Sequence, residues 1–307
     1  MNTVYFDAPA TDEQRRPQLF EGQIFVYSPR ASVQALVDFA REFIEPAFGN
    51  LDPVTAQHAL DPAEYERVLA SFKPAFINHP HSKELVQSIL RDFGCDPAQT
   101  YFDVPRMRTA TSHAYLNRGL AYSFEAHRDT WFSGPMNQIN WWLPIYGFEP
   151  GNGMAFHPQY WAEPVPNGSE GFNCRAWDAE GARLAASPGT PDRRVRPQPF
   201  EALAMEPQLR LVMPVGGLMV FSAAHLHSTV PNHTGRSRFS IDFRMVNLAD
   251  VKARRAAPNH DTRCTGTTLD MYYRLADLGR IPAEWVQQYE QGTPLLTTRQ
   301  PALTPAG

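Results

Sequence analysis

Apolar residues near the start of the chain first follow a strand pattern and then a helical one. The run GQIFVYS at 22–28 predicts a short strand. From residue 33, apolar side chains recur three and four positions apart, which predicts an amphipathic helix. Ser32 is the expected N-cap of this helix, and Pro46 is expected to stop it.

Two more helices are predicted before residue 100. The segment 61–72 begins at Asp61, a residue that caps helices well, and a proline follows it in the first turn. The segment 82–94 is expected to begin with Ser82 as its cap and to end at Gly94. Residues 1–100 are therefore predicted to be mostly helical.

The pattern changes at residue 101, where short runs of alternating or continuous apolar residues replace the helical spacing. Such runs predict strands, and they occupy 101–157 and 209–247, which we expect to form one β core. The predicted strands are TYFDVPRMRTA (100–110), LAYSFEAHRDT (120–130), NQINWWLPIYG (137–147), GMAFHPQ (153–159), LRLVMP (209–214), GGLMVFSA (216–223), HLHSTVP (225–231) and RFSIDFRMVN (238–247).

Two segments stand apart from this core. Residues 158–208 are rich in proline, glycine and charge without a sustained period, so we expect an irregular excursion or a lid. Residues 248–307 form the tail, with short helices predicted at 267–279 and 282–292. Without an internal repeat, the 307 residues are expected to form a single domain.

Composition and charge narrow the classes of protein. The 28 prolines and 12% aromatic residues are typical of a β-rich enzyme with long loops. A net charge of -4 with no basic stripe argues against nucleic acid as a partner. No secretory leader or membrane span is recognisable, so a cytoplasmic protein is expected. The cysteines, Cys95, Cys174 and Cys264, are predicted to be reduced and non-catalytic.

A histidine and an aspartate two positions apart raise the question of a metal site. On a strand, His127 and Asp129 would share a face and Arg128 would point the other way. Such a pair by itself is more typical of a salt bridge or a solvated surface. A third ligand is available among His225, His227 and His233, and the residues alone do not choose between these histidines.

The strand at 238–247 adds a cation to this cluster. Arg238, Ser240 and Arg244 fall on one face of it. Two histidines and a carboxylate leave open positions on Fe(II), which a bidentate 2-oxo acid and O2 can fill. The far carboxylate of the 2-oxo acid would then need a fork-shaped cation and a hydroxyl, which Arg238 and Ser240 can supply.

With these residues the chain resembles the Fe(II)/2-oxoglutarate dioxygenases, and within them the phytanoyl-CoA dioxygenase-like family. The resemblance covers about 100–247 and rests on the HRD at 127–129, on HSTVPN at 227–232 and on Arg238, eleven positions after His227. It selects His227 as the third metal ligand. It also implies that Thr229 and Ser240 join Arg238 on 2-oxoglutarate.

The resemblance implies a fold and a chemistry. The fold would be mainly β with flanking helices, around a double-stranded β-helix, the jelly-roll or cupin-like core. With Fe(II), 2-oxoglutarate and O2, the enzyme would hydroxylate or otherwise oxidise an unactivated C–H bond of a small molecule in specialised metabolism. Asp129 favours hydroxylation, because related halogenases lack this carboxylate. Arg128 departs from the polar residue usual between the ligands, and its side chain should leave the metal.

Residues around the triad are candidates for a substrate pocket. Gln138, Asn140 and Trp142 share one strand face, and we expect this face and Trp131 to line the pocket together with Arg244. The alternatives are packing for the tryptophans, bonding to neighbouring backbone for the amides and a salt bridge for the arginine. The pair Arg106 and Arg108 could likewise hold an anionic substrate or be solvated.

Two other functions compete with the oxygenase. A non-oxidative isomerase or hydrolase on the same barrel would use the three ligands, but it has no use for an arginine–hydroxyl pair eleven residues after the last of them. A binding protein without catalytic activity would be expected to have lost a ligand, whereas all three are present.

Overall fold

The computed structural model describes residues 3–185 and 194–292. The predicted excursion and tail therefore lie partly outside the described residues. The α-helices are α1 (Asp12–Phe20), α2 (Ala31–Phe48), α3 (Pro62–Asn78), α4 (Pro80–Asp92), α5 (Cys174–Ala185), α6 (Leu248–Ala253) and α7 (Ala283–Gln291). None of the described helices combines the length and the apolar content that crossing a membrane would need.

The strands are short except for one near the end of the chain. They are β1 (Val4–Phe6), β2 (Ile24–Tyr27), β3 (Thr100–Phe102), β4 (Arg106–Ala110), β5 (Ile139–Pro144), β6 (Met154–Phe156), β7 (Leu209–Arg210), β8 (Leu218–Ser222), β9 (His227–Thr229), β10 (Arg238–Asn247) and β11 (Tyr273–Arg274).

The three predicted helices near the N-terminus are confirmed, but four of their boundaries are wrong: both ends of α2, the end of α3, which runs on to Asn78, and the start of α4. The α3 cap is Asp61, as predicted, and its side chain accepts from the Glu64 N–H. Helix α2 begins earlier than expected, so Ser32 lies inside it and its hydroxyl donates to Asp92 at 2.7 Å. It also passes through Pro46, because a proline in the last turn removes only one hydrogen bond.

Helix α4 also begins earlier than predicted. His79, not Ser82, caps it. The Ser82 hydroxyl instead donates to the Phe76 carbonyl at 2.5 Å and so joins α4 to the end of α3.

Two predicted elements are wrong and others were not foreseen. Residues 120–130 form no strand, since the segment holds two isolated bridges, Ala121 with Arg118 and His127 with His227, and a 3-10 helix begins at Asp129. The segment 267–279 holds a 3-10 turn and β11 in place of a helix, whereas the helix at 282–292 is confirmed as α7. Sequence periodicity missed β1, α1, α5 and α6, whose apolar patterns are short or weak.

The strands form two sheets. The larger has the order β1-β2-β8-β5-β10-β3-β11, with β4 also pairing with β10, and the smaller has the order β7-β6-β9. All pairs are antiparallel except β1 with β2. The fold is therefore mixed α/β with a mixed sheet, and the expectation of a mainly β chain understated the helices.

Alternation along β10 divides the molecule into an apolar side and a polar side. Phe239, Ile241, Phe243 and Met245 are fully buried in the core that helices α2–α4 share with the large sheet. The intervening side chains, starting with Arg238, point the opposite way. A second apolar cluster joins the two sheets through β5, β6 and β8, so the polar face of β10 lies toward the smaller sheet.

Candidate metal centre

A backbone bridge brings the two histidines of the centre together. The N–H of His127 donates to the carbonyl of His227 at 3.0 Å, and the N–H of His227 returns the bond at 3.0 Å. Residues paired in this way stand side by side, and the ring centroids are 4.4 Å apart. Asp129 follows at the start of the 3-10 helix, and one ligand atom from each residue lies within 4.8 Å of the others.

Backbone carbonyls fix the orientation of both imidazole rings. Nδ1 of His127 lies 2.8 Å from the Glu125 carbonyl, and Nδ1 of His227 lies 3.0 Å from the His225 carbonyl. A carbonyl accepts only, so the ring proton belongs on Nδ1 and the Nε2 lone pair is free. Both rings are thus prepared to bind a metal through Nε2.

The charge state of the cluster also suits a divalent metal. Burial, together with the charge of His127, lowers the pKa of His227 to about 4, so this imidazole is neutral at neutral pH. Burial alone would raise the pKa of Asp129, but the neighbouring His127 and His227 rings hold the pKa below its ordinary value. A metal needs this combination of neutral imidazole and ionised carboxylate.

A chain of three hydrogen bonds holds the Asp129 carboxylate from behind. Tyr272 Oη donates to Gln138 Oε1 at 3.0 Å, Gln138 Nε2 to Asn140 Oδ1 at 2.9 Å, and Asn140 Nδ2 to Asp129 Oδ2 at 2.6 Å. Since each amide accepts at one end and donates at the other, the phenol sets the direction of the whole chain. Oδ1 of Asp129, 3.4 Å from His127 Nε2, remains for a metal.

Replacing Asn140 with alanine is expected to weaken metal binding about tenfold, because the loss of a partner behind a ligand has effects of this size. Calorimetric titration with Mn(II) would measure the change. Asn137→Ala is the matched control, since Asn137 is as buried but makes no bond to Asp129. Equal affinity in the two variants would contradict a positioning role for Asn140.

The other two histidines take different positions. His225 is buried against Trp161, with ring centroids 4.5 Å apart, and burial lowers its pKa to about 3. His233 is exposed beside His113. Among the residues that the structure describes, only the cluster containing His227 has the spacing to hold a metal ion.

All three cluster residues line a cavity of about 360 Å³. Arg238 and Arg244 contribute to its wall, as do Asn140, Trp142 and Thr229. Much of the remaining lining is aromatic: Tyr122, Phe124, Phe132, Phe172, Trp177 and Phe221. A larger cavity of about 620 Å³ lies beyond Phe124 and contains none of the cluster residues on its wall.

Arg238 is a buried cation that pairs with no carboxylate among the residues that the structure describes. Its side chain is 5% exposed, and Nη1 donates to the Gly153 carbonyl at 2.7 Å and to the Asn152 carbonyl at 3.3 Å. Nε has no partner among the described residues. Burial lowers the pKa of Arg238 to about 10, which leaves it charged at neutral pH. An anion at this point would satisfy both the free donor and the charge.

The two hydroxyls expected beside Arg238 differ in their surroundings. Thr229 Oγ1 accepts from the Phe124 N–H at 3.1 Å and lies at the cavity wall. The Ser240 hydroxyl is fully buried, lies behind the wall and has no partner among the described residues. Thr229 is thus accessible to a bound molecule in this structure, and Ser240 is not.

Two of the expected pocket residues, Gln138 and Trp131, lie behind the wall and not on it. Gln138 is fully buried within the hydrogen-bond chain to Asp129. Trp131 is fully buried in a separate cluster with Val165 and Leu226. Trp131 lies in the 3-10 helix at 129–132, where Phe132 lines the cavity instead.

Arg128 leaves the metal cluster and anchors its segment. Its Nε donates to Asp261 at 2.9 Å, and Nη2 donates to the Tyr160 carbonyl at 2.6 Å. Asp261 also accepts from Trp131 Nε1 at 2.8 Å and from the Val165 N–H at 3.0 Å. One buried carboxylate therefore joins the ligand segment, the start of the excursion and the tail.

Replacing Asp261 with asparagine is expected to lower the free energy of unfolding by about 3 kcal/mol, because it leaves the buried Arg128 uncompensated. Urea denaturation would measure the loss. Asp277→Asn serves as the control, since Asp277 pairs with Arg274 on the surface and should matter little. A similar loss of stability in both variants would contradict the anchoring role.

Several residues of the site were not predicted from the sequence. Phe172, Trp177 and Arg196 reach the cavity from the excursion, where no periodicity marks them. Asp261 is a single acidic residue in an irregular segment and carries no recognisable signal.

No protein-family model and no curated protein matches the chain. Solved structures with some likeness include EvdO2 from Micromonospora carbonacea var. aurantiaca, with 11% identity, a TM-score of 0.44, and coverage of 78% of this chain and 92% of that one. AviO1 from Streptomyces viridochromogenes has 15% identity and a TM-score of 0.38, covering 79% and 98%.

A third similar structure is SnoK, a non-haem alpha-ketoglutarate-dependent carbocyclase from nogalamycin biosynthesis. It has 12% identity and a TM-score of 0.39, with coverage of 82% of this chain and 94% of that one. Similarities this distant do not establish a shared activity.

Proposed function

We propose that this protein is an Fe(II)- and 2-oxoglutarate-dependent oxygenase that oxidises an unactivated C–H bond of a small molecule in specialised metabolism. One observation carries the proposal. The His127, Asp129 and His227 cluster lines the same cavity as Arg238, a buried cation that pairs with no carboxylate in the described ranges of the chain.

The donor set fits Fe(II). Two imidazole nitrogens and one carboxylate oxygen, with further positions open, are the ligands of non-haem Fe(II) oxygenases. His127 and His227 would bind through the Nε2 atoms that the backbone carbonyls leave free. Asp129 would bind through Oδ1 while Asn140 holds Oδ2. When bound, iron would supply the activation of O2.

The arginine fits the co-substrate. A 2-oxo acid that chelates the metal extends its second carboxylate away from it, and a guanidinium binds such a group with two parallel hydrogen bonds. Arg238 would hold this carboxylate with its free Nε, and the Thr229 hydroxyl would assist from the cavity wall. Ser240 would contribute only after a shift of its surroundings, because its hydroxyl is behind the wall.

The remaining wall would position the substrate and exclude water. The aromatic rings of Phe124, Phe132 and Phe221 surround the cluster on the cavity side. Apolar walls of this kind favour a partly apolar small molecule and protect a reactive centre from solvent. We further propose that the chain forms one domain and that its two packed sheets correspond to the expected jelly-roll.

Anaerobic absorption spectroscopy tests the proposal directly. Adding Fe(II) and then 2-oxoglutarate is expected to produce a visible charge-transfer band, and Zn(II) should produce none. Screening metabolite pools for substrate-dependent succinate release would then identify the substrate, and its product would distinguish hydroxylation from desaturation or ring closure. Absence of both the band and succinate release, with iron bound, would favour a non-oxidative metalloenzyme.

A further inference from the structure

A small basic side cavity adjoins the metal cavity. Its volume is about 240 Å³, and its wall includes Lys73, Arg106, Arg108 and Arg196 but no carboxylate. The last three also line the metal cavity, together with Tyr122 and Phe124. The two spaces are therefore neighbours divided by a few side chains.

Lys73 is the deepest cation of this side cavity. It lies on the inward face of α3, between Leu69 and Phe76, and is 2% exposed. Its ammonium donates to the Leu120 carbonyl at 2.5 Å and pairs with no carboxylate among the described residues. Burial lowers its pKa well below the ordinary value. A buried lysine usually has an anionic partner, and the protein supplies none here.

Arg196 is the second cation of the side cavity that pairs with no carboxylate among the described residues. Aromatic rings hold its guanidinium, with the Tyr122 centroid 4.1 Å away and the Phe124 centroid 5.6 Å away. This contact orients the group without neutralising it, so its hydrogen-bond donors remain available. The segment that carries it comes from the excursion, opposite α3.

The other two arginines already have carboxylate partners. Arg108 donates to Asp242 at 2.6 and 3.3 Å. Arg106 pairs with Asp103, which Arg244 shares. Lys73 and Arg196 are therefore the two cations on the wall of the side cavity that pair with no carboxylate in the described part of the chain.

We propose that the substrate is an anion whose carboxylate or phosphate group binds in the side cavity between Lys73 and Arg196. A space of about 240 Å³ has ample room for such a group, and the neighbouring 360 Å³ can hold an apolar body. The body would pass Tyr122 and Phe124 toward the metal cluster. This assignment of substrate class rests on the proposed oxygenase function, and it separates a substrate anion from the co-substrate anion at Arg238.

Small probes test the side cavity without knowledge of the natural substrate. Phenylacetate, phenyl phosphate and neutral phenylacetamide would be titrated calorimetrically into protein loaded anaerobically with Fe(II) and 2-oxoglutarate. The anions are expected to bind at least tenfold more tightly than the amide. The anion that binds more tightly indicates whether the natural substrate carries a carboxylate or a phosphate.

Variants locate the binding. Arg196→Met and Lys73→Met should each weaken binding of the anionic probes roughly tenfold and leave the affinity for the amide unchanged. Arg118→Met is the control, because Arg118 is an exposed arginine paired with Glu66 outside the side cavity. Arg196 is partly exposed on an irregular segment, so its variant remains informative if Lys73→Met does not fold.

Two results would overturn the inference. One is equal binding of the amide and the anions, and the other is anion binding that survives in both Arg196→Met and Lys73→Met. Failure of the oxygenase proposal would look different. In that case the charge-transfer band would be missing. Binding in the side cavity would persist: Arg238→Met protein, titrated without iron, would still bind the anionic probes more tightly than the amide.

Discussion

Replacing His227 with alanine is expected to abolish succinate release and the charge-transfer band. The variant removes one of three ligands, and since losing even a partner behind a ligand costs up to about 100-fold in metal affinity, losing the ligand itself should cost more. Anaerobic Fe(II) titration in the presence of 2-oxoglutarate would measure the affinity. Circular dichroism would establish that the fold is retained.

His233→Ala is the matched control for this experiment. The residues alone offer His233 as one of three possible third ligands, but it is exposed and lies outside the cluster. This variant should bind iron as the parent does. A His227→Ala protein with parental turnover, or a His233→Ala protein without iron binding, would show that the cluster is not the metal centre.

Replacing Arg238 with methionine is expected to raise the KM for 2-oxoglutarate roughly a thousandfold. Two hydrogen bonds between a guanidinium and a carboxylate contribute about 4 kcal/mol together, which corresponds to this factor. Succinate release at increasing 2-oxoglutarate would measure the change. The KM of Arg238→Lys should lie between those of the parent and of Arg238→Met, since lysine keeps the charge but cannot make two parallel hydrogen bonds.

Thermal stability distinguishes a specific loss of 2-oxoglutarate binding from misfolding. Because Arg238 pairs with no carboxylate within the described residues, methionine removes a buried charge that backbone carbonyls stabilise in the free protein. The melting temperature of Arg238→Met is therefore expected to stay equal or to rise while co-substrate binding falls. Arg236→Met, at an exposed arginine two positions earlier, should change neither quantity. An unchanged KM in Arg238→Met would remove this residue from the co-substrate site.

Local patterns predicted the elements whose burial follows a simple period. The alternation in 238–247 gave both the strand and its two faces, because a strand buried on one side must alternate. Asp61 and the proline after it marked the start of α3, since capping depends on neighbouring residues only. The segment 120–130 did not follow its local pattern: its apolar residues suggested a strand, but it holds two isolated bridges, at Ala121 and His127, and no strand.

The candidate site shows the same division. Lys73 could have been noticed, because it stands on the apolar face of α3 where a charge is unusual. Asp261 and Arg196 could not, because they lie in irregular segments and reach the site only through the path of the folded chain.

The sequence by itself determined which ligand types were present, how far apart they lie in the chain and which side chains of β10 share a face. These depend on residue identity and on short-range geometry. Only the tertiary structure decided that His227 meets His127 across a bridge, that Ser240 and Trp131 lie behind the wall, and that Lys73 and Arg196 face one cavity. Contacts between distant segments are fixed by how the elements pack together, and no local pattern contains that information.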